Sequence, residues 1–222
     1  MAKLTLANVS YQYPNAENPA VNKVSCEFDS GRLYVVIGPS GSGKSTLLSL
    51  LAGLDSPCEG EIFLDEQSLA DMNLDRYRRE SLTMIFQSYQ LFPLMTALEN
   101  VCYPMELKGA KPKEAKPNAM QLLQSVGIVP EQMKRYPSNL SGGEQQRVAI
   151  ARSLASGAKI LIADEPTGNL DVKNTQIIIE MLAALAHNES YCVIIVTHDM
   201  EVAKVADTVY RMTDGELKAE EL

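Results

Sequence analysis

The sequence LYVVIGPSGSGKST, residues 33–46, constrains the fold more strongly than any other part of this chain. Its first five residues are apolar or β-branched and predict a buried strand, while its last residues favour the start of a helix. The loop between them matches the pattern G-x-x-x-x-G-K-[ST], with Gly38, Gly43, Lys44 and Ser45 at the defining positions. Because a strand precedes this loop and a helix follows it, the pattern predicts a phosphate-binding loop.

Each residue type in this loop has a physical reason to be there. Glycines let the backbone wrap around phosphates with its N–H groups pointing inward, and the helix N-terminus adds a positive dipole end. Lys44 supplies a full charge to the β- and γ-phosphates, and the Ser45 hydroxyl is suited to Mg²⁺. A chance match in a chain of this length is on the order of one in a hundred. The predicted nucleotide contacts are Gly38, Pro39, Ser40, Gly41, Ser42, Gly43, Lys44, Ser45 and Thr46.

Composition limits the remaining function classes. The chain has 222 residues, 45% of them hydrophobic and 22% charged, which is ordinary for a globular protein. Its net charge of −8 disfavours nucleic acid as a broad partner, because nucleic acid attracts positive surfaces. No apolar run reaches the roughly 18 residues that span a bilayer, and the N-terminus lacks the apolar segment of a signal peptide. We therefore expect a cytoplasmic protein.

The order of predicted elements indicates an α/β fold. Strands that alternate with helices imply a mainly parallel sheet with right-handed crossovers. Two early strands, at residues 3–10 and 24–28, predict a small antiparallel β subdomain before it. The last strand is predicted at residues 208–212, closed by a turn at Asp214 and Gly215. We predict that residues 1–222 form one domain.

A mainly helical segment, at approximately residues 88–155, is predicted as an insertion into the α/β core. Thr96 and Glu99 form a capping-box pattern at the start of one of its helices. Residues 108–117 are basic, polar and proline-containing, and favour a solvated connector that leads into the next helix.

A second strand carries chemistry at its end. Ile160–Ala163 is an apolar strand that is followed directly by Asp164 and Glu165. In open α/β sheets, ligands bind at the carboxyl ends of the strands. Asp164 is therefore predicted to hold Mg²⁺, and Glu165 to polarise an attacking water molecule. The alternative is an acidic pair that only opens a loop before Pro166.

The stretch LSGGEQQR, residues 140–147, distinguishes this chain from other phosphate-loop proteins. Ser141 and Glu144 fit a capping box at a helix start. Gly142 and Gly143 expose backbone N–H groups where the helix dipole is positive, which makes a second anion site. A plain capped helix is the alternative interpretation.

With this stretch, the sequence resembles the ATP-binding-cassette (ABC) ATPases, whose signature motif is similar to LSGGEQQR. Other marks of that family occur in the same order. Tyr13 resembles the aromatic residue that stacks on adenine, Gln87 the glutamine of the Q-loop, and Asn169–Asp171 the D-loop. His198 resembles the switch histidine. The resemblance covers about residues 3–217, and together these motifs are highly specific.

Two stretches narrow the resemblance within the family. PTGNLD, residues 166–171, and TALENV, residues 96–101, look most like the lipoprotein-release, macrolide-export, antimicrobial-peptide-resistance and haem-export ATPases. Relatives in cell-division complexes share both stretches. Residues 79–86 depart from this subgroup, which usually carries a glycine before the Q-loop.

The resemblance implies a P-loop NTPase core, ATP and Mg²⁺ as ligands, and a head-to-tail dimer around two nucleotides. It implies that Glu165 is the general base, that His198 contacts the γ-phosphate and that Gln87 senses Mg²⁺ and the attacking water. It implies metal contacts from Ser45, Gln87 and Asp164. The residues implied to act across the dimer are Ser141, Gly142, Gly143, Glu144 and Asp171.

The resemblance also implies a membrane partner. An ATPase subunit of this family works with a separate permease, at the cytoplasmic face of the membrane, and in this subgroup the permease exports its substrate. An apolar loop at residues 89–95 either packs the helical segment or receives a helix of that permease. The alternatives are an ATPase that drives a non-transporting cell-division complex and a soluble ATPase of DNA repair or translation. Long coiled coils or a second cassette would indicate the soluble class, and the sequence has neither.

Overall fold

A computed structural model describes residues 2–220 and contains two sheets and eight α-helices within that range. The strands are β1 (Lys3–Tyr11), β2 (Val21–Asp29), β3 (Arg32–Ile37), β4 (Glu59–Leu64), β5 (Gln67–Ser68), β6 (Leu82–Ile85), β7 (Ile160–Asp164), β8 (Cys192–Thr197), β9 (Thr208–Thr213) and β10 (Glu216–Glu220). The helices are α1 (Lys44–Leu51), α2 (Leu74–Glu80), α3 (Ala97–Leu107), α4 (Pro112–Ser125), α5 (Pro130–Met133), α6 (Gly142–Ala155), α7 (Val172–Glu189) and α8 (Met200–Ala203).

The smaller sheet is antiparallel, with the strand order β2-β1-β4-β5. Leu4 and Leu6 of β1 alternate with more exposed neighbours and are buried. This period of two places one face of the sheet against a core and leaves the other in contact with solvent. The predicted N-terminal antiparallel subdomain is confirmed.

The larger sheet has the order β10-β9-β3-β8-β7-β6, and its pairs are parallel except for β10 with β9. Register brings the carboxyl ends of three strands together, because Ile37 pairs with Thr197 and Asp164 pairs with Val196. The loops that follow β3, β7 and β8 therefore leave the sheet side by side. This edge is where ligands bind in open α/β sheets.

Two cores cover the two faces of this sheet. Val35 and Ile37 of β3 face a cluster that includes Val101 of α3 and Ile178 of α7. Val36 of the same strand faces the opposite cluster, with Leu47 of α1 and the buried side of the antiparallel sheet. A strand that is buried on both faces has few polar residues, which explains the continuous apolar run in β3.

The helices α3–α6 follow β6 and precede β7 in the chain, which confirms that the α/β fold contains a helical part. The capping box of α3 is present, since Thr96 Oγ1 accepts a hydrogen bond from the N–H of Glu99, and the Glu99 carboxylate accepts one from the N–H of Thr96. Within residues 2–220, every helix is too short or too polar to cross a membrane.

Two expectations about secondary structure were wrong. Residues 112–117 are helical, because Pro112 occupies the first helical position, where its missing N–H costs nothing. Pro117 removes one hydrogen bond near that end, while Ala115 and Ala119 are buried against the core. Residues 216–220 form a further strand, which the sequence pattern missed because only one of its residues, Leu217, is a large apolar side chain.

Candidate nucleotide-binding site

A cavity of about 690 Å³ opens at the carboxyl ends of the parallel strands. It gathers residues that are far apart in sequence, and all of them except Ala20 were predicted as site residues. Its walls are formed by Tyr13, Ala20, Ser40, Gly41, Gly43, Lys44, Ser45, Thr46, Gln87, Asp164, Glu165 and His198.

The loop between β3 and α1 is held in shape by its own lysine. Lys44 Nζ donates hydrogen bonds to the carbonyl oxygens of Gly38 and Pro39, at 2.9 and 2.8 Å. The predicted contacts Gly38, Pro39 and Ser42 do not line the cavity wall, and the Ser42 side chain is buried. The lysine therefore closes the loop around a space that its positive charge and the N-terminus of α1 make favourable for phosphate.

The turn between β9 and β10 contacts this loop through a backbone hydrogen bond. The sequence did not predict this contact. The N–H of Gly215 donates to the carbonyl of Ser42 at 3.1 Å. A Cβ atom on Gly38 would lie 2.2 Å from the carbonyl oxygen of Met212, and one on Gly43 would lie 2.0 Å from that of Ala20. Both glycines are thus required by packing of the loop against distant backbone. Gly215, in the turn between β9 and β10, was the sequence signal for this contact, because glycine is often found where two backbones approach closely.

We expect Gly43→Ala to lower the thermal unfolding midpoint sharply and to abolish nucleotide binding. Gly43 has a φ of +106°, and the added methyl group would collide with the Ala20 carbonyl. Gly157→Ala is the matched control, because Gly157 has a φ of +71° with no atom within 4 Å of a new Cβ. Differential scanning fluorimetry with and without ATP compares the two. Equal losses would show that backbone strain alone, and not the collision, matters at Gly43.

Glu165 is held by two side chains from the end of β8. Its Oε2 accepts a hydrogen bond from Thr197 Oγ1 at 2.8 Å. Its Oε1 lies 2.8 Å from Nδ1 of His198. An ionised carboxylate only accepts hydrogen bonds, so His198 Nδ1 donates. Glu165 itself has a left-handed φ of +46°. Such strain in a non-glycine residue is typical of a functional position. Thr197 was not predicted, although it directly precedes His198.

Asp164 lies beside the same cavity and is half-buried. Burial and the neighbouring Glu165 charge raise the pKa of its carboxyl group, and Lys44 opposes that shift. A bound cation would favour the charged form in the same way that Lys44 does. Ser45 and Gln87, which are also at the cavity wall, add hydroxyl and amide oxygen atoms. These are the hard oxygen donors that Mg²⁺ prefers.

Few protein ligands are needed for such a metal. In the part of the chain that the structure describes, no three His, Cys, Asp or Glu side chains cluster to form a metal site by themselves. Mg²⁺ at nucleotide sites is usually held by one or two carboxylates and by the phosphates of the substrate. The donor set of Ser45, Gln87 and Asp164 fits that arrangement.

Gln87 is fixed by the loop that follows Glu165. Asn169 Nδ2 donates to the carbonyl of Gln87 at 3.1 Å. A Cβ atom on Gly168 would lie 2.9 Å from Gln87 Nε2, so the glycine leaves room for the amide. The loop after β6 and the loop after β7 therefore contact each other at the cavity.

The stretch LSGGEQQR begins α6 as the capping pattern predicted. Ser141 Oγ accepts a hydrogen bond from the N–H of Glu144, and the Glu144 carboxylate accepts one from the N–H of Ser141, at 3.3 and 2.6 Å. Gln132 Nε2 also donates to Glu144. None of Ser141, Gly142, Gly143 and Glu144 is among the residues that line the cavity.

Residues 21–168 match the family model described as ABC transporter. The chain is also 41% identical over 221 residues to a protein of Bacillus subtilis (strain 168) named "Uncharacterized ABC transporter ATP-binding protein YclH". That alignment covers 100% of this chain and 98% of the relative. The chain belongs to the ABC transporter family of ATPases.

Solved structures of ABC ATPases have the same fold. The chain superimposes on the dimeric structure of MJ0796, described as a bacterial ABC transporter cassette, with a TM-score of 0.90 and 37% identity, covering 99% of this chain and 98% of that one. A post-hydrolysis state of MJ0796 bound to ADP and Pi gives a TM-score of 0.90 at 36% identity, with the same coverage. CbiO1 of Clostridium perfringens, part of the transporter complex cbiONQ, gives 0.88 at 27% identity over 97% of this chain and 86% of that one.

Tyr13 of this ABC ATPase lines the cavity. Its hydroxyl lies 3.0 Å from Thr46 Oγ1, and its ring contacts Tyr11 edge-on at a centroid distance of 5.0 Å. The side chain is 45% exposed. Tyr13 and Thr46 therefore contact each other at the cavity wall, and the stacking of Tyr13 on adenine stays a prediction.

The predicted cross-dimer residues of the ABC ATPase lie outside the cavity. Asp171 caps α7 by accepting hydrogen bonds from the N–H and the side-chain amide of Asn174, at 2.8 and 2.7 Å. Like Ser141–Glu144, Asp171 does not line the cavity. One chain thus presents the cavity and, elsewhere, the capped N-terminus of α6.

Proposed function

We propose that this ATPase hydrolyses ATP in two composite sites of a head-to-tail dimer and drives a separate membrane permease that exports its substrate. In this proposal, residues 1–222 act as one nucleotide-binding domain, with the helical part at about residues 88–155. The single observation that supports the composite site most is the separation described above. The phosphate loop, Asp164 and Glu165 line one cavity, while the capped N-terminus of α6 lies outside it.

The chemistry that these residues support is in-line attack of water on the γ-phosphorus. Glu165 takes the proton from the water, the new oxygen–phosphorus bond forms, and the bond from the γ-phosphorus to the β–γ bridging oxygen breaks. ADP and inorganic phosphate leave. Thr197 and His198 orient the Glu165 carboxylate, and Lys44 stabilises the charge that develops on the phosphates. Mg²⁺, when bound by Ser45, Gln87 and Asp164, would neutralise phosphate charge.

The second copy supplies what the cavity lacks. The N-terminus of α6 offers free N–H groups and a positive dipole end. The helix α6 is 14 residues long. In the proposed dimer, Ser141, Gly142 and Gly143 of one chain close over the γ-phosphate held by the other. Asp171 lies at the seam. Loss of the γ-phosphate removes the ligand that joins the two surfaces, so hydrolysis opens the dimer.

The permease is proposed to dock at a groove between the sheet edge and α3. This groove has a volume of about 340 Å³, and its floor is largely apolar. Arg79 and Lys108 stand at its rim, and neither forms an ion pair with a carboxylate within residues 2–220. An amphipathic helix with an acidic residue fits this chemistry. The groove is lined by Arg78, Arg79, Leu82, Thr83, Met84, Phe86, Pro104, Leu107, Lys108 and Ser156.

The apolar loop at residues 89–95 was predicted either to pack against the helical segment or to receive a permease helix, and different residues of the loop suit each role. Leu91 packs against the core cluster, whereas Leu94 is 89% exposed. Asn100 is fully buried, and its amide bonds to the backbone of Phe92, Met95 and Thr96. The loop is therefore held in place by buried hydrogen bonds, with Leu94 exposed to a partner.

The groove makes a specific prediction about the permease. We expect Leu107→Glu to abolish recovery of a multi-span membrane protein when the chain is captured from detergent-solubilised membranes of its host. Leu54→Glu is the matched control, because Leu107 and Leu54 are 58% and 56% exposed and Leu54 lies outside the groove. The purified variants should hydrolyse ATP equally well without membranes.

The captured protein decides between the candidate functions. A permease with a transport path supports export, at the cytoplasmic face of the membrane, and a partner whose outer domain carries no path supports the cell-division type of complex. Equal recovery with Leu107→Glu and Leu54→Glu would contradict docking at the groove. Recovery of no membrane protein by the unaltered chain would contradict the proposed function.

A further inference from the structure

Asn174, in the first turn of α7, belongs to none of the motifs identified in the sequence. Its backbone N–H donates to Asp171 Oδ1 at 2.8 Å, and its side-chain Nδ2 donates to Asp171 Oδ2 at 2.7 Å. Both carboxylate oxygens of Asp171 are therefore held by one residue. These two hydrogen bonds are the main reason why the pKa of Asp171 lies below its usual range.

The other end of the same amide contacts α6. Asn174 Oδ1 accepts a hydrogen bond from Arg147 Nη1 at 3.2 Å. The Nε of Arg147 is buried without a hydrogen-bond partner in residues 2–220. The hydrogen bond to Asn174 therefore pairs a guanidinium that is only partly exposed, and its loss would leave that group more poorly paired.

Gly143 makes room for this amide. A Cβ atom on Gly143 would lie 2.2 Å from Asn174 Oδ1 and 2.5 Å from its Cγ. The amide has little freedom to move away, because it bonds to Asp171 on one side and to Arg147 on the other. Gly143 therefore has a reason to be glycine within its own chain, independent of any approach to phosphate.

An amide at position 174 is chemically specific. Asp171 requires a donor and Arg147 requires an acceptor, and the amide of asparagine supplies both from one short side chain. A carboxylate there would oppose Asp171, and a methyl group would satisfy neither neighbour. The arrangement ties the D-loop, residues 169–171, to the beginning of α6.

We propose that Asn174 is a positioning residue that holds the D-loop and the anion-binding end of α6 as one unit, so that both reach the partner copy together. This inference rests on the proposed head-to-tail dimer. The unit then presents Asp171 and the N–H groups of α6 in a fixed relation to the nucleotide of the other chain. A loss of that relation affects the hydrolytic step and not the binding of ATP to the chain's own cavity.

The test compares Asn174→Ala with Gln176→Ala in steady-state ATP hydrolysis. Gln176 is a matched control, since it is an amide on the same helix that bonds to a carboxylate, Glu180, at 2.7 Å on the exposed face. We expect Asn174→Ala to lower kcat about tenfold, because a small misplacement of reacting groups has effects of at least that size. The KM for ATP should change less than twofold, and Gln176→Ala should match the unaltered chain. Asn174→Asp should lower kcat as well, although it is nearly isosteric.

A double-mutant comparison tests the contact itself. Gly143→Ala should lower the unfolding midpoint in the unaltered chain and have little further effect in the Asn174→Ala background, where the obstructing amide is absent. Additive effects of the two substitutions would contradict the contact. An unchanged kcat in Asn174→Ala, or a KM that rises as much as kcat falls, would overturn the positioning role.

One further measurement separates this inference from the proposed dimer. ATP-dependent dimerisation is measured by light scattering in a Glu165→Gln background, with and without Asn174→Ala. We expect Asn174→Ala to raise the dimer dissociation constant about tenfold. Equal dimerisation would overturn the role of Asn174 alone, whereas a Glu165→Gln chain that stays monomeric in saturating ATP would overturn the composite site.

Discussion

Glu165→Gln is expected to lower kcat for ATP hydrolysis by about a thousandfold while ATP still binds. The amide has the shape of the carboxylate but cannot take a proton from water at neutral pH. The hydroxyl of Thr197 and the imidazole of His198 remain available to orient it. Because hydrolysis is what opens the proposed dimer, the variant should accumulate as an ATP-bound dimer in static light scattering.

Glu201→Gln is the matched control for this substitution. Glu201 is an exposed carboxylate of α8 that pairs with Lys204 at 2.6 Å and does not line the cavity. Its variant should hydrolyse ATP at the normal rate and dimerise only transiently. A Glu165→Gln chain with a normal rate would show that another group takes the proton.

Lys44→Ala is expected to bring ATP hydrolysis below detection, a loss of about a thousandfold or more. Two effects combine, because Lys44 carries the charge at the phosphate end of the cavity and its ammonium group bonds to the carbonyls of Gly38 and Pro39. Its removal opens the loop as well as removing the charge. Binding of a fluorescent ATP analogue should be lost together with hydrolysis.

Lys204→Ala serves as the control, since Lys204 is an exposed lysine in a surface ion pair, and such pairs contribute little to stability. Both lysine variants should keep the unfolding midpoint of the unaltered chain within a few degrees in the absence of nucleotide. Only Lys44→Ala should lose the rise in midpoint that ATP produces. A Lys44→Ala chain with near-normal turnover would contradict the assignment of the site.

The identification of this chain required only short segments of sequence. The phosphate-loop pattern at residues 38–45, the acidic pair after an apolar strand and the LSGGEQQR stretch are local patterns, each with a chemical reason for its spacing. The α/β fold class and the antiparallel subdomain were also predicted and are confirmed. The limits of the helical part and the roles of the site residues stay predictions.

The predicted secondary structure was wrong where the local sequence pattern was weak or where contacts with distant residues determined the structure. The start of α4 was misplaced because residues 108–117 are basic, polar and proline-containing, although the burial of Ala115 and Ala119 outweighs the one hydrogen bond that Pro117 removes. The strand β10 was missed because an edge strand needs little apolar sequence when its partner β9 supplies the register.

The sequence by itself determined the family of this protein and its ATPase chemistry, because the residues predicted to bind phosphate lie within a few positions of one another and would act through local backbone geometry. Tertiary structure alone decided how that chemistry is supported. Thr197 is 32 positions from Glu165, Asn174 is 27 positions from Arg147 of α6, and Gly215 is 173 positions (215 − 42) from Ser42, to which it donates a hydrogen bond. No periodicity or motif records such contacts, since they arise only when the strands and helices pack.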